Sequence, residues 1–182
     1  PLAATKVNGK AGKMSYIALA AYDRNTGITV PGEEESNTVQ SEETSFAGGA
    51  RARYDLGNEN FIGLLWLSRN FTDAHNYVSG LDWNYKFWKN WYWQGELFLS
   101  KTREINDTNL FKSERPFGST GHDAGFNGES YLGTGVHLAL MRQGRNYGFA
   151  LVQNNFSPTY QTYNGMFPEI NGRTTYMEHD YT

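Results

Sequence analysis

The sequence predicts an all-β protein, built as an antiparallel up-and-down meander, and three observations carry this prediction. Apolar and polar residues alternate over segments of about ten residues, which is the period of a strand with two different faces. Tight and long connections follow one another in turn. Aromatic residues collect beside the tight connections. Together these features predict consecutive strands joined by hairpins.

The first third of the chain contains three predicted strands. The segments "ATKVNGKAG" (4–12) and "MSYIALAAYD" (14–23) are separated only by the turn Gly12-Lys13. The third, "FAGGARARYD" (46–55), places small and aromatic residues on one face and Arg51, Arg53 and Asp55 on the other. This separation of side chains predicts a sheet with one apolar and one polar surface.

The middle of the chain continues the pattern. The segment "NFIGLLWLSRNF" (60–71) is apolar on both faces and fits the alternation less cleanly. Residues 77–87 and 91–100 alternate strictly around the turn Lys89-Asn90. This spacing predicts an antiparallel hairpin with one apolar face.

The last third supplies another hairpin and a final strand. The segments 130–143 and 147–156 flank Gly144-Arg145-Asn146, and "GRTTYMEHDYT" (172–182) closes the chain. We therefore expect about eight or nine strands, each close to the roughly 9 to 11 residues that a tilted strand needs to cross a bilayer.

The connections differ in length in a regular way. Tight links fall near residues 12–13, 56–60, 89–90 and 143–146, and longer or polar links at 24–45, 72–76, 102–128 and 157–172. Short turns at one end and long loops at the other are typical of bacterial outer-membrane barrels. Residues 1–182 are therefore predicted to form a single β-barrel domain, namely a transmembrane β-barrel or a segment of a larger one. An unpaired last strand favours the segment, because an open sheet edge is unstable in lipid.

Two groups of side chains are assigned roles on this basis. Ionic residues of the polar face are expected to line a lumen, which is either an open pore or a salt-bridged plug: Arg51, Arg53, Asp82, Lys86 and Glu96. Aromatic residues near the turns are expected to form a girdle at the membrane interface: Trp88, Trp91, Tyr92, Trp93, Tyr54 and Tyr147.

Composition argues against several classes of protein. The formal net charge of -3 gives no basic surface for nucleic acid, and the absence of cysteine removes disulfides, thiolate zinc sites and a cysteine nucleophile. Neither a metal-binding motif nor a phosphate-binding loop is present. We expect no cofactor, no metal and no nucleic-acid partner.

The chain resembles a family of bacterial proteins that join a module similar to family-9 carbohydrate-binding modules to a carboxy-terminal outer-membrane barrel. Three segments carry the resemblance: "KVNGKAGKMSYIALAAYD", "FAGGARARYDLGNENFIGLLWLSRNF" and "FSPTYQTYNGMFPEINGRTTY". Only the barrel part has a counterpart here. The resemblance implies a fold and the bacterial outer membrane as location, and it implies no particular activity.

The leading functional hypothesis is a non-enzymatic outer-membrane protein acting as pore, anchor or surface-binding platform. Its expected partner is the lipid bilayer, with lipopolysaccharide and other outer-membrane or surface proteins as candidates for the long loops. One alternative is a soluble extracellular β-sandwich or lipocalin-like barrel that binds a glycan or small ligand through aromatic residues. The face that meets solvent separates the two, since a soluble barrel buries its apolar face.

A second alternative is an outer-membrane hydrolase that uses His and Asp residues of its loops. His122-Asp123 and His179-Asp180 are the candidate pairs, although neighbours on an extended strand point to opposite faces. Two loops carry further hypotheses. The Glu-rich segment 31–43 could hold divalent cations or remain a solvated loop, and 110–126 could fold inward or stay extracellular.

Overall fold

The computed structural model describes residues 1–30, 36–165 and 170–182, and within them the chain forms strands joined by turns and loops. In chain order the strands are β1 (Ala3–Ala11), β2 (Met14–Asp23), β3 (Thr26–Val30), β4 (Asn37–Ser41), β5 (Ser45–Gly57), β6 (Asn60–Asn70), β7 (His75–Phe87), β8 (Trp91–Arg103), β9 (Ser130–Gln143), β10 (Tyr147–Phe156) and β11 (Gly172–Tyr181).

Nine of these strands form one sheet in the order β1-β2-β5-β6-β7-β8-β9-β10-β11. All neighbouring pairs are antiparallel. The predicted antiparallel meander is therefore confirmed. Strands β3 and β4, which the sequence did not predict, pair with each other as a separate hairpin inside the link between β2 and β5.

The connections lie at two distinct ends of the sheet, because every neighbouring pair is antiparallel. Residues 12–13, 58–59, 88–90 and 144–146 make the short-turn end. Among the described residues, 24–30, 36–44, 71–74, 104–129, 157–165 and 170–171 belong to the links of the long-link end. The turn after β5 shows why so few residues suffice: Gly57, Asn58 and Glu59 all have positive φ, beside a register shift between Asp55 and Gly57. Gly and Asn tolerate this backbone region best.

The sheet is open. Among the described residues, β1 pairs only with β2 and β11 only with β10, and both strands are almost fully exposed. A closed transmembrane barrel is thus not confirmed, and the architecture established here is the open antiparallel sheet.

The hydrophobic core lies at the long-link end, where Phe98 of β8 and Phe156 of β10 pack against it from the sheet. It is formed by the β3–β4 hairpin, the links and the first residues of β9, and Phe126, Ile28 and Ile170 are its largest fully buried apolar side chains. Aromatic edge contacts join Phe111 to Phe126 and Phe117 to Tyr131. The described residues contain no helix of the length and hydropathy needed to cross a membrane.

Candidate functional site

The sheet has two chemically different faces. Residues directly opposite one another in antiparallel strands project to the same side. The register therefore places the five ionic residues proposed for a lumen on one surface, which we call the polar face. Its polar members include Lys6, Asn8, Lys10, Arg51, Arg53, Asp82, Asn84, Lys86, Glu96, His137, Asn154, Glu178 and Asp180.

Ion pairs connect several strands across the polar face. Arg51 Nη2 on β5 donates to Asp82 Oδ2 on β7 at 2.5 Å, so this ion pair reaches across β6. The bridge passes over Gly63, where an added Cβ would lie only 2.3 Å from Asp82 Oδ1. Arg53 Nε donates to Asp55 Oδ1 at 3.0 Å. The charges on this face are therefore partly compensated within the sheet itself.

A second set of bonded polar side chains lies at the short-turn end of the polar face. Lys86 Nζ donates to Glu59 Oε1 at 2.6 Å, and the Tyr92 hydroxyl donates to Glu59 Oε2 at 3.2 Å. The hydrogen bond from Lys86 lowers the pKa of Glu59 below its ordinary value. Tyr92 was predicted to belong to an interface girdle, whereas the structure places it on the polar face.

The opposite surface, the apolar face, is exposed over its whole width. Its larger members include Val7, Tyr16, Ile62, Leu64, Trp66, Leu81, Trp83, Leu97, Leu99, Leu132, Leu138, Leu151 and Met177. Leu64 and Leu132 are 62% and 61% exposed. In the described residues no second layer covers this surface, and the core lies elsewhere.

Aromatic residues flank the apolar face. Five predicted girdle residues lie on it or at its short-turn end: Tyr54, Trp88, Trp91, Trp93 and Tyr147. Trp83 and Trp93 meet edge to face across Gly95, which leaves room for the Trp83 ring. At the long-link end the aromatic members are Tyr22, Phe46 and Tyr77.

One link does not stay at the rim but runs across the polar face. Residues 157–165, here called the crossing segment, begin over β9. A Cβ added to Gly133 would lie 2.4 Å from Tyr160 Cα and 2.5 Å from the Thr159 carbonyl oxygen. Thr159 Oγ1 donates to the Leu132 carbonyl at 2.6 Å. The backbone of the crossing segment therefore rests directly on the backbone of β9.

Buried side chains of β7 and β8 hold the middle of the crossing segment. Asn76 Nδ2 donates to the Gln161 carbonyl at 3.1 Å, and Asn76 Oδ1 accepts from the Tyr163 amide at 3.0 Å. Ser100 Oγ accepts from the Gln161 amide at 3.3 Å. Asn76, Ser100 and Gln161 are all buried.

The far end of the crossing segment reaches β6. Asn164 Nδ2 donates to the Ser68 carbonyl at 2.6 Å, and Arg69 Nε donates to Asn164 Oδ1 at 2.9 Å. Arg69 also forms a salt bridge of 2.8 Å with Asp23. The crossing segment thus spans the sheet from β9 to β6, which corresponds to about 14 Å at the usual spacing of neighbouring strands.

A buried carboxyl group lies where β8 meets the long-link end. Glu104 is 1% exposed, and the Tyr131 hydroxyl donates to its Oε1 at 2.7 Å. Burial raises the pKa of Glu104 to about 8, and the nearby carboxylates of Glu129 and Asp123 raise it further. Glu104 is therefore mostly protonated at neutral pH.

The candidate hydrolase pairs do not form His–Asp dyads. His122 Nδ1 lies 2.9 Å from Glu129 Oε2, whereas Asp123 Oδ1 accepts from the Gly125 amide at 2.7 Å. His179 lies on the apolar face and Asp180 on the polar face. No group of three or more His, Asp or Glu side chains suited to a metal occurs in the part of the chain that the structure describes.

Sequence reasoning missed the residues that hold the crossing segment, namely Arg69, Asn76, Ser100 and Gly133. The segment 110–126, for which the sequence left inward folding open, contributes Phe117 and Phe126 to the core. Of the Glu-rich stretch 31–43, residues 31–35 lie outside the described residues, and Asn37–Ser41 form β4.

The chain matches no protein-family model, no curated protein and no solved structure. The resemblance to the outer-membrane barrel family therefore stays a prediction, and residues 166–169 of its third segment lie outside the described residues.

Proposed function

We propose that this chain forms part of the wall of a bacterial outer-membrane β-barrel, with its apolar face against lipid and its polar face lining a water-filled interior. In this role it makes and breaks no bond, and it controls what passes along the polar face. The observation that carries the proposal is the pairing of a largely exposed apolar face with a charged face on the other side of the same strands.

The exposed apolar face is costly in water. Exposed apolar surface costs about 25 cal/mol per Å² in water, and soluble monomers rarely carry a continuous patch beyond a few hundred Å². Here exposed Leu, Ile, Trp and Tyr side chains extend over one face of a sheet of nine strands, which is a larger apolar surface than such a patch. Hydrocarbon chains of lipid would remove this cost without a second protein layer.

The polar face supports the same orientation. Charged groups are costly in hydrocarbon and stable beside water. Arg51, Asp82 and Glu96 share the face turned away from the apolar side chains. Tyr and Trp at the strand ends would sit at the headgroup level, where an apolar ring with a polar atom is favoured. The long-link end would face the exterior, as long loops do in such barrels.

Two adjacent positions of β8 test the orientation in one experiment. Glu96 lies on the polar face and Leu97 on the apolar face, and both are exposed. Because the chain has no cysteine, Glu96→Cys and Leu97→Cys each introduce a single thiol. In the full native protein reconstituted into lipid vesicles and opened to reagent on both sides, a charged maleimide should label Glu96→Cys and not Leu97→Cys.

A lipid-phase quencher provides the complementary reading. A fluorophore attached at Leu97→Cys in detergent before reconstitution should be quenched by doxyl-labelled lipid, and one at Glu96→Cys should not. If the protein needs no detergent and both thiols react equally with the charged maleimide, the apolar face does not meet lipid and the proposal fails.

A further inference from the structure

We propose that the crossing segment, residues 157–165, is a built-in constriction that limits by size the solutes able to move along the polar face. This inference rests on the proposed function, because it requires the polar face to line a passage. It concerns what narrows that passage and which residues fix the narrow point.

Strand β9 is shaped to receive the crossing segment. Gly133 is the position where the two backbones meet, and any side chain there would overlap Tyr160 and Thr159. On either side, the Thr134 amide donates to Ser157 Oγ at 2.8 Å and the Leu132 carbonyl accepts from Thr159 Oγ1. A loop that merely rested on the surface would not need a gap in the side-chain layer.

The sheet hydrogen-bonds the backbone of the crossing segment in the way that a neighbouring strand would. The side-chain amide of Asn76 donates through Nδ2 to the Gln161 carbonyl and accepts through Oδ1 from the Tyr163 backbone amide. Asn76 is buried, so its Oδ1 would lose the Tyr163 amide if the segment left without water replacing it, while its Nδ2 would keep only the bond to Thr102. The contacts therefore fix the segment in one place over the sheet.

The crossing segment carries no charged side chain. The crossing segment reads "SPTYQTYNG" and contains no ionisable group other than tyrosine. Burial raises the pKa of Tyr160 to about 12, so this residue stays neutral. The ionic residues Arg51, Asp82 and Glu96 lie nearer the short-turn end, and Glu96 remains exposed. Arg69, which donates to Asn164 of the segment, is itself paired with Asp23, so the segment restricts passage by its volume.

A valine at Gly133 should push the segment off the sheet. The full native protein carrying Gly133→Val is compared in planar bilayers with the unaltered protein, using conductance and its inhibition by neutral polymers of increasing size. We expect a conductance several-fold higher and admission of larger polymers. Gly148→Val serves as the matched control. A Cβ at this position would lie 3.3 Å from Oδ2 of Asp180, and this flexible side chain can move aside.

A single cysteine reports whether the segment has moved. Ser100 is buried under the segment, so Ser100→Cys should resist a charged maleimide in the otherwise unaltered protein and react in the Gly133→Val background. Glu96→Cys, four residues along the same face, should react in both backgrounds. A merely structural role of Gly133 would not produce increased labelling at Ser100→Cys together with admission of larger polymers.

The outcomes separate this proposal from the proposed function. If Ser100→Cys becomes reactive and the polymer limit stays unchanged, the segment moves without restricting passage and the constriction is overturned. If Leu97→Cys reacts with the charged maleimide, the proposed function itself fails. Should Gly133→Val not fold, Asn76→Ala removes two hydrogen bonds to the segment without adding volume, and a polymer limit unchanged in this variant would equally overturn the constriction.

Discussion

At the scale of single residues, Glu104 is a buried carboxyl group that follows β8 and accepts a hydrogen bond from Tyr131 at the long-link end. Its pKa is raised from an ordinary value of 4.5 to about 8, mainly by burial, so folding favours the protonated acid. The unfolded segment releases this proton at lower pH than the folded one. The stability that depends on it is therefore complete below about pH 4.5 and declines as the pH rises towards 8.

The resulting prediction concerns local opening of the long-link end. Raising the pH from 5 to 8 should lower the free energy of opening near Tyr131 and Tyr163 by about 1.4 kcal/mol per pH unit, from this group alone. Hydrogen exchange of backbone amides, corrected for the intrinsic effect of pH, measures it. Glu104→Gln keeps the shape and should remove most of the dependence. An unchanged slope in that variant would assign the effect to another group.

At the scale of elements, the β7–β8 hairpin shows how a turn combines backbone strain with an interfacial side chain. Trp88 has a φ of 53° and is 80% exposed. A bulky residue in the left-handed region costs roughly 1–2 kcal/mol, so another reason must favour tryptophan here. Its position beside Phe87 and Trp91 at the short-turn end suits the membrane interface.

Replacing Trp88 separates these two effects. Trp88→Gly should relieve the turn and stabilise the hairpin by up to about 1 kcal/mol, while weakening attachment to the interface. Thermal unfolding in detergent measures the first effect, and partition of the refolding protein onto lipid vesicles measures the second. Trp88→Asn is the matched control, because asparagine tolerates the same backbone but is not an interface residue. Unweakened partition in both variants would contradict the anchoring role.

The elements also show what the sequence can and cannot predict. Most of the nine strands of the sheet carry a local alternation of apolar and polar residues, and this alternation predicts the meander; β6, which is apolar on both faces, carries it least. The hairpin of β3 and β4 was not, because five residues per strand give too short a pattern. The crossing segment depends on pairs such as Asn76 and Tyr163, which lie 87 positions apart. No local pattern records such a contact.

At the scale of the whole molecule, the position of the core predicts behaviour in solution. The buried cluster stabilises the long-link end, whereas the apolar face has no cover of its own. The full native protein should therefore require detergent or lipid to stay dispersed.

In a mild detergent it should give a β-rich circular dichroism spectrum and migrate faster on a gel before boiling than after. The fast form is expected because a folded barrel binds detergent and moves as a compact body. A protein that remains dispersed and β-rich without detergent, with no shift on boiling, would contradict this expectation.

The strand order carries a rule of parity. Eight antiparallel steps lead from β1 to β11, so these two strands point the same way. A closed barrel in which every neighbouring pair is antiparallel needs an even number of strands. Because β1 and β11 are parallel to each other, these nine strands can close into such a barrel only if an odd number of further strands lies between them, each antiparallel to both of its neighbours. Joined directly, β1 and β11 would form a single parallel seam.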